Sequence, residues 1–250
     1  MATLRERLNA GVTIGTWLQI GSSQTAEIMG QVGLDWVILD TQHGGMSESD
    51  LLPILQALSS TDTPALVRVN WLDPALIMRA GDLGADGVVI PMVNTPEDAE
   101  LAVRSIRYPP RGMRSFGPLR NYFIGSEAKQ ALCLCMIETV EALANVEKIA
   151  AVPGLDGLLV GPADLALSMG LEFTGSMSAH VLDAIERVAA ACEQHGLLAC
   201  SVGMTAANVA EQIKRGVTFI TLGADSMFMR QAAMQEVRQV REVLGLDTKP

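Results

Sequence analysis

The sequence predicts an α/β fold, a (β/α)8 TIM barrel, and three observations lead to it. The chain has 250 residues, 49% of them apolar and 4% aromatic, which suits a single barrel domain spanning residues 1–250 around one large core. Eight short β-branched apolar runs alternate with eight longer stretches rich in Ala, Leu, Glu and Gln, the order that lays a parallel sheet under a layer of helices. Four helix-to-strand joins also share one form: Val32-Gly33-Leu34-Asp35-Trp36, Leu83-Gly84-Ala85-Asp86-Gly87, residues 152–157, and Arg215-Gly216-Val217-Thr218. In each, a glycine stops the helix and a short turn feeds the next strand. An open doubly wound sheet is the fallback.

Along the chain, the first strand is expected at 13–19 and the first helix at 25–31. The second strand, 36–40, is apolar until Asp40, and the helix at 48–58 opens on Ser47 with Glu48 and Asp50 in its first turn, a common N-terminal signal. Strand 65–69, helix 74–83 and strand 87–91 follow, and the helix at 96–104 is announced by Thr95-Pro96-Glu97, with proline at the first helical position. Residues 104–130 break the rhythm with Pro109-Pro110, little periodicity and five of the fourteen arginines. Excursions of that length are usually functional or interfacial. Strand 132–138, helix 140–149, strand 157–160, helix 179–195, strand 197–201, helix 206–215, strand 219–222 and helix 226–244 complete the set. The strands are almost continuously apolar, as strands buried on both faces must be.

A net charge of −10 argues against nucleic acid as a partner, because phosphate binding needs a basic face. No run approaches the roughly 20 apolar residues of a membrane span, and the N-terminal stretch with Arg5, Glu6 and Arg7 has no signal-peptide core. No membrane partner is expected. Cys133 and Cys135 share one face of a strand, and with Cys192 and Cys200 they read as buried free thiols of a cytoplasmic protein. The nearest approach to a GxGxxG pattern after the first strand is Gly21-Ser22-Ser23, so no nucleotide cofactor is expected.

A barrel of this kind carries its active site at the C-terminal ends of the strands. Strand two runs into Asp40-Thr41-Gln42-His43, strand three ends near Arg68, strand five at Glu138, and strand six runs through Gly161-Pro162-Ala163 into Asp164. Singly, each is an ordinary polar residue ending a strand. Together they place an imidazole, a guanidinium and at least two carboxylates around one rim. Carboxylates without clustered Cys or a second rim His suit a hard divalent cation, Mg²⁺ or Mn²⁺ before Zn²⁺. His180 and His195 fall in or at the end of a helix, which leaves His43 as the acid or base near neutral pH. Lys129, Lys148, Lys214 and Lys249 all lie away from strand ends, so a Schiff-base lysine is disfavoured and cation-assisted enolate chemistry is left.

At these residues the chain resembles a known family. The ordered set Gly15-Thr16-Trp17, Asp40-Thr41-Gln42-His43-Gly44, Val67-Arg68-Val69, Ile90-Pro91-Met92-Val93, Arg107-Tyr108-Pro109-Pro110-Arg111-Gly112-Met113-Arg114, Ile137-Glu138-Thr139 and Gly161-Pro162-Ala163-Asp164-Leu165 is similar to the metal-dependent class II pyruvate aldolases. Their type members are the 4-hydroxy-2-oxoheptanedioate and 2-dehydro-3-deoxyglucarate aldolases. Any one tripeptide is weak; the order over nearly the whole chain is specific. The resemblance implies that Glu138 and Asp164 hold the metal, Mg²⁺ or Mn²⁺ with Co²⁺ also admitted. It implies that backbone amides around Gly161, Pro162, Ala163 and Asp164 receive the carboxylate of a 2-oxo acid, and that Arg68 stabilises the enolate oxygen. His43, oriented by an aspartate resembling Asp82, would assist proton transfer at the aldol hydroxyl. Asp40, Gln42, Met136 and Leu222 would support the site. Apart from the resemblance, the arginines of 104–120 are expected to add positive charge near the anion.

Asp82 precedes strand four, at the opposite end of the barrel from His43, so the expectation is that it reaches His43 of a neighbouring subunit; the plain alternative is a helix-end aspartate. The family also implies a homohexamer, a trimer of dimers with an exchanged C-terminal helix. The stripe Met227, Met234, Val237, Val240 and Val243 serves either that exchange or ordinary barrel packing. The chain departs from the family where Glu commonly precedes the histidine (Gln42) and where Gln often precedes Ile-Glu-Thr (Met136), and its excursion after Arg114 looks shorter. Those departures bear on the donor, pyruvate or hydroxypyruvate, and on the aldehyde acceptor. Decarboxylation of oxaloacetate on the same site is the near rival. Phosphoenolpyruvate chemistry is a further one, without a glycine-rich phosphate loop to support it, and a non-catalytic barrel leaves the rim set unexplained.

Overall fold

All eight expected strands form, and they close on themselves in chain order. The computed structural model describes Leu4, Leu8 and residues 11–117, 119–123, 130–172 and 177–246; Arg5, Glu6, Arg7, Lys129 and Lys249 lie outside the described residues. The strands β1 (Thr13–Leu18), β2 (Trp36–Asp40), β3 (Ala65–Arg68), β4 (Gly87–Ile90), β5 (Leu132–Ile137), β6 (Gly157–Val160), β7 (Leu198–Gly203) and β8 (Phe219–Ala224) make a closed parallel (β/α)8 barrel. The helices are α1 (Ser23–Met29), α2 (Glu48–Leu58), α3 (Pro74–Asp82), α4 (Pro96–Ile106), α5 (Leu119–Phe123), α6 (Val140–Ala144), α7 (Val146–Ala150), α8 (Pro162–Ser168), α9 (Ala179–His195), α10 (Ala206–Lys214) and α11 (Asp225–Val243).

Period-two alternation divides the core. Ile38, Leu66, Val89, Leu134, Met136, Leu159 and Cys200 point into the barrel, while Leu39, Val67, Val88, Cys133, Cys135 and Leu158 pack under the helices. Trp36 and Phe219 stack inside at 3.7 Å between ring centroids, 6° from parallel. Their bulk is admitted by Gly15, where a Cβ would lie 2.3 Å from the Trp36 ring. All four cysteines are free and buried, and burial pushes the Cys192 thiol up to about 12.

The repeated joins have a structural cause. Gly33, Gly84, Gly154 and Gly216 take φ of 88°, 88°, 89° and 93°, a left-handed turn that costs glycine little. In three of them the following aspartate caps the preceding strand: Asp35 accepts from the Ile14 N–H, Asp86 from Ala65 and Asp156 from Cys133, each at 2.8 Å.

Several boundaries differ from expectation. β7 and β8 extend to Gly203 and Ala224 because Gly203 pairs with Leu222 and Ala224 with Trp17, and these neighbours outweigh the weak strand preference of glycine. The helix expected at 140–149 breaks at Asn145 (φ −96°, ψ 3°) into α6 and α7. Pro162 starts a helix, α8, that is not among the expected ones.

Arg107, Arg114 and Arg120 of the excursion are engaged away from the rim. Arg107 donates to the Ala131 and Gly154 carbonyls and to Asp156. Arg114 donates to Asp82, and Arg120 to the Leu83 and Leu55 carbonyls. All of these partners lie at the N-terminal end of the barrel or beneath its helices, so the expected positive charge near the anion is not supplied there by this chain's own excursion. Buried guanidiniums need several acceptors at once, and the strand-entry carbonyls and aspartates provide them. In α11 only Asp225 is buried. Met227, Met234, Val237, Val240 and Val243 are 45–85% exposed; Met227 borders the rim cavity, and the other four are not buried on this chain's barrel. Among the described residues, no helix is long and apolar enough to cross a membrane.

Candidate active site

The C-terminal ends of the strands surround a cavity of about 380 Å³. His43, Arg68, Met136, Glu138, Gly161, Pro162, Ala163 and Asp164 all line it. Asp40 lies behind Arg68, fully buried, and accepts from its Nε at 2.9 Å and its terminal nitrogen at 2.7 Å. This two-pronged pairing fixes the guanidinium plane. The same plane lies over the Trp17 ring, 4.3 Å from its centroid, and the Trp17 indole N–H donates to Thr221 at 3.0 Å. Burial opposes charge on Asp40, but Arg68, the His43 N–H and the Gln19 amide outweigh it and hold the carboxyl below the usual carboxylate range.

A tight turn then delivers His43. The His43 and Gln42 N–H groups bond the Asp40 carboxylate at 3.1 and 3.2 Å, and Gly44 donates to the Asp40 carbonyl at 3.1 Å. A Cβ at Gly44 would stand 2.3 Å from that carbonyl oxygen, which is why the turn needs glycine. The imidazole makes no hydrogen bond among the described residues. Gln42 does not line the cavity, and its side-chain oxygen is buried without a partner.

Glu138 follows β5 and is 3% exposed. Its Oε2 accepts the Met92 N–H at 2.9 Å, and a Cβ on Gly161 would lie 2.6 Å from its Oε1, so glycine at 161 is a spatial necessity. Burial pushes the Glu138 carboxyl up and the Asp164 charge adds to it, outweighing the Met92 N–H and the Arg68 charge, which pull it down. A buried carboxylate with a second carboxylate in range and few donors is short of positive charge. That donor set, all oxygen, fits a divalent cation. No group of three or more His, Cys, Asp or Glu side chains gathers among the described residues, so an ion on Glu138 and Asp164 would keep open positions, as catalytic sites do.

Two predicted site residues lie elsewhere. Asp82 ends α3 at the other end of the barrel, bound to Arg114 at 2.6 Å. Leu222 packs on the outer, helix-facing layer, while its neighbours Gly223 and Ala224 line the cavity. Sequence reasoning missed Gln19, Val202, Gly203, Met204, Gly223, Ala224 and Met227 as cavity residues, and quoted Trp17 only within a motif. Period two counted from inward-facing Gly15 leads to Trp17 and Gln19, a signal present in the sequence. Asp225 also went unnoticed: its carboxylate accepts the Gln19 and Ile20 N–H groups at 2.8 and 3.2 Å and ties the end of β1 to α11.

This rim has relatives. The family model described as HpcH/HpaI aldolase/citrate lyase matches residues 13–232. The chain belongs to the HpcH/HpaI aldolase/citrate lyase family. It is similar to the 2-dehydro-3,6-dideoxy-6-sulfogluconate aldolase of Pseudomonas putida, 37% identical over 88% of this chain and 89% of that protein. It is also similar to the hydroxypyruvate/pyruvate aldolase of Rhizorhabdus wittichii, 35% identical over 90% and 92%. The crystal structure of an HpcH/HpaI family protein from Burkholderia cenocepacia superposes with a TM-score of 0.87 at 32% identity, covering 95% of this chain and 98% of the other. As a member of this family the chain is a carbon–carbon lyase that performs aldol chemistry.

Proposed function

We propose that the chain is a divalent-metal-dependent aldolase that reversibly cleaves a 4-hydroxy-2-oxo acid to pyruvate or hydroxypyruvate and an aldehyde. The observation that carries this is the convergence of Arg68, His43, Glu138 and Asp164 on one cavity, with Arg68 locked by Asp40 and Trp17. Relatives with names of this chemistry support the donor assignment.

Glu138 and Asp164 are the residues that would hold Mg²⁺ or Mn²⁺. When bound, such an ion supplies Lewis-acid polarisation of the oxo acid. Arg68, already oriented, faces the oxygen on which negative charge grows as the carbon–carbon bond breaks, and a preset donor lowers that barrier most. Pro162 has no N–H and the Gly161 N–H bonds the Ile137 carbonyl, so Ala163 and Asp164, in the first turn of α8, are the amides left to receive the substrate carboxylate. His43 takes the proton of the C4 hydroxyl in cleavage and returns it in synthesis.

Asp82 completes the site by orienting His43 of a neighbouring subunit. Its distance from the rim of its own barrel supports that arrangement. The exposed face of α11 supports a trimer of dimers with exchanged C-terminal helices. Four free buried thiols support a cytoplasmic location.

The test is a purified-protein assay with Mg²⁺, Mn²⁺ or EDTA, pyruvate or hydroxypyruvate, and a panel of aldehydes. Cation-dependent bond formation that EDTA abolishes is expected. Failure with every pair, in protein shown to be folded, overturns the reading.

A further inference from the structure

Glu138 is reached by one backbone donor, and that donor sits in an unusual conformation. Met92 is a non-glycine residue at φ 56°, a left-handed geometry that costs an L side chain energy and persists only where its surroundings enforce it. The turn after β4 shows what enforces it. Asn94 Nδ2 donates to the Met92 carbonyl at 3.2 Å, and Asn94 Oδ1 accepts from the hydroxyl of Thr139, the residue next to Glu138. The Asn94 carbonyl accepts from Asn145 Nδ2 at 3.0 Å, and its N–H bonds Asp98 at 3.0 Å.

The bonds form a closed loop. Glu138 Oε2 is held by Met92, Met92 by Asn94, Asn94 by Thr139, and Thr139 is covalently joined to Glu138. Asn145, at the break between α6 and α7, anchors Asn94 from behind. The conformation of Met92 aims its N–H at Oε2 and leaves Oε1 against Gly161.

We propose that Asn94 is the positioning residue of this site: by clamping Met92 in its left-handed conformation against Thr139, it fixes the Glu138 carboxylate in the orientation that receives a divalent cation. This rests on the reading of Glu138 as a cation ligand. Groups that orient a ligand through one intermediate bond typically alter metal affinity by about 10- to 100-fold when removed. Asn94 does not line the cavity, so it acts through Met92 and Thr139.

The experiment measures Mn²⁺ binding by electron paramagnetic resonance of free Mn²⁺, which needs no turnover, beside thermal unfolding. Asn94→Ala and Asn94→Asp both remove the donor to Met92, the second with volume and acceptor retained, so either variant that folds gives a result. Both are expected to weaken Mn²⁺ binding about tenfold or more. Thr95→Ala removes the neighbouring helix cap, in which the Thr95 hydroxyl accepts from Asp98. It should lower the unfolding temperature yet leave Mn²⁺ affinity within twofold. Adding Met92→Gly to Asn94→Ala should recover part of the affinity, since glycine adopts a positive φ without the steric cost an L side chain meets. Asn94 variants that bind Mn²⁺ as the wild type does, or an equal loss in Thr95→Ala, overturn the proposal. A wild-type protein that binds no Mn²⁺ overturns instead the assignment of Glu138.

Discussion

Each end of the barrel carries a buried Arg–Asp pair, and the two are used differently. At the C-terminal end Arg68 meets Asp40, with side chains 8% and 0% exposed; at the N-terminal end Arg107 meets Asp156, at 9% and 7%. Arg107 also bonds two backbone carbonyls, holding the excursion onto the strand entries. Arg68 bonds Asp40 alone and lays its plane on Trp17, with the rest of the guanidinium toward a 380 Å³ cavity. A guanidinium whose bonds run to carbonyls and a carboxylate of neighbouring segments is a staple. One whose orientation is set while a donor faces open space is an instrument for an anionic ligand. Burial and pairing alone do not separate the two; what does is that Arg68 borders the cavity while Arg107 reaches two backbone carbonyls.

Five measurements can break or sharpen that contrast. His43→Ala should lower aldol turnover by between about 10² and 10⁴ while leaving exchange of the donor's methyl protons, followed by deuterium uptake; equal loss of both would break the division of labour at the rim. Arg107→Ala should cost about 3–5 kcal/mol in urea unfolding, because it removes the cationic partner of a largely buried aspartate, with activity per folded molecule retained; loss of activity without loss of stability would erase the contrast. Arg68→Lys keeps a charge for Asp40 but not the planar fork, and should cut kcat by about 10² to 10³ with the fold intact by circular dichroism.

A pH series adds a sign. The Glu138 carboxyl is raised above its ordinary value, so protons compete with the cation, and Mn²⁺ affinity should fall roughly tenfold per pH unit once the pH drops below its pKa. Asp40 acts oppositely on stability. Its carboxyl is held low, so its contribution is present above the unfolded value and lost as acid carries the pH through the folded one. The smallest effect is expected from Arg187→Ala, which breaks an exposed pair with Glu147 at 2.9 Å and should change stability by about 0.2–1 kcal/mol. A larger loss there would mean that exposed pairs matter as buried ones do.

Much of this was legible in the residues. The eight strands follow from buried parallel strands having to be apolar on both faces, and the Gly-x-Asp joins from the need for a left-handed turn and an acceptor for an orphan N–H. Asp40, Arg68, Glu138 and Asp164 stood out as charges ending apolar runs, where chance places few. The destinations of the arginines were not legible, because a guanidinium reaches any acceptor within its long side chain and the partners of Arg107 lie 24 to 49 residues away. Nor was the break at Asn145, where a side chain bonded to Asn94 outweighs helix continuity.

The sequence by itself determined the layers: which residues lie inside the barrel, which lie under the helices, and which charges ride at strand ends. These depend on periodicity, and periodicity is local. Tertiary structure decided which charges meet. It set Arg68 against Asp40 and Trp17, sent Arg107 and Arg114 to the far end, held Met92 at a positive φ through Asn94, and tied the start of α11 to β1 through Asp225. Each of those outcomes joins residues distant in sequence, and only the closing of the barrel brings them within bonding range.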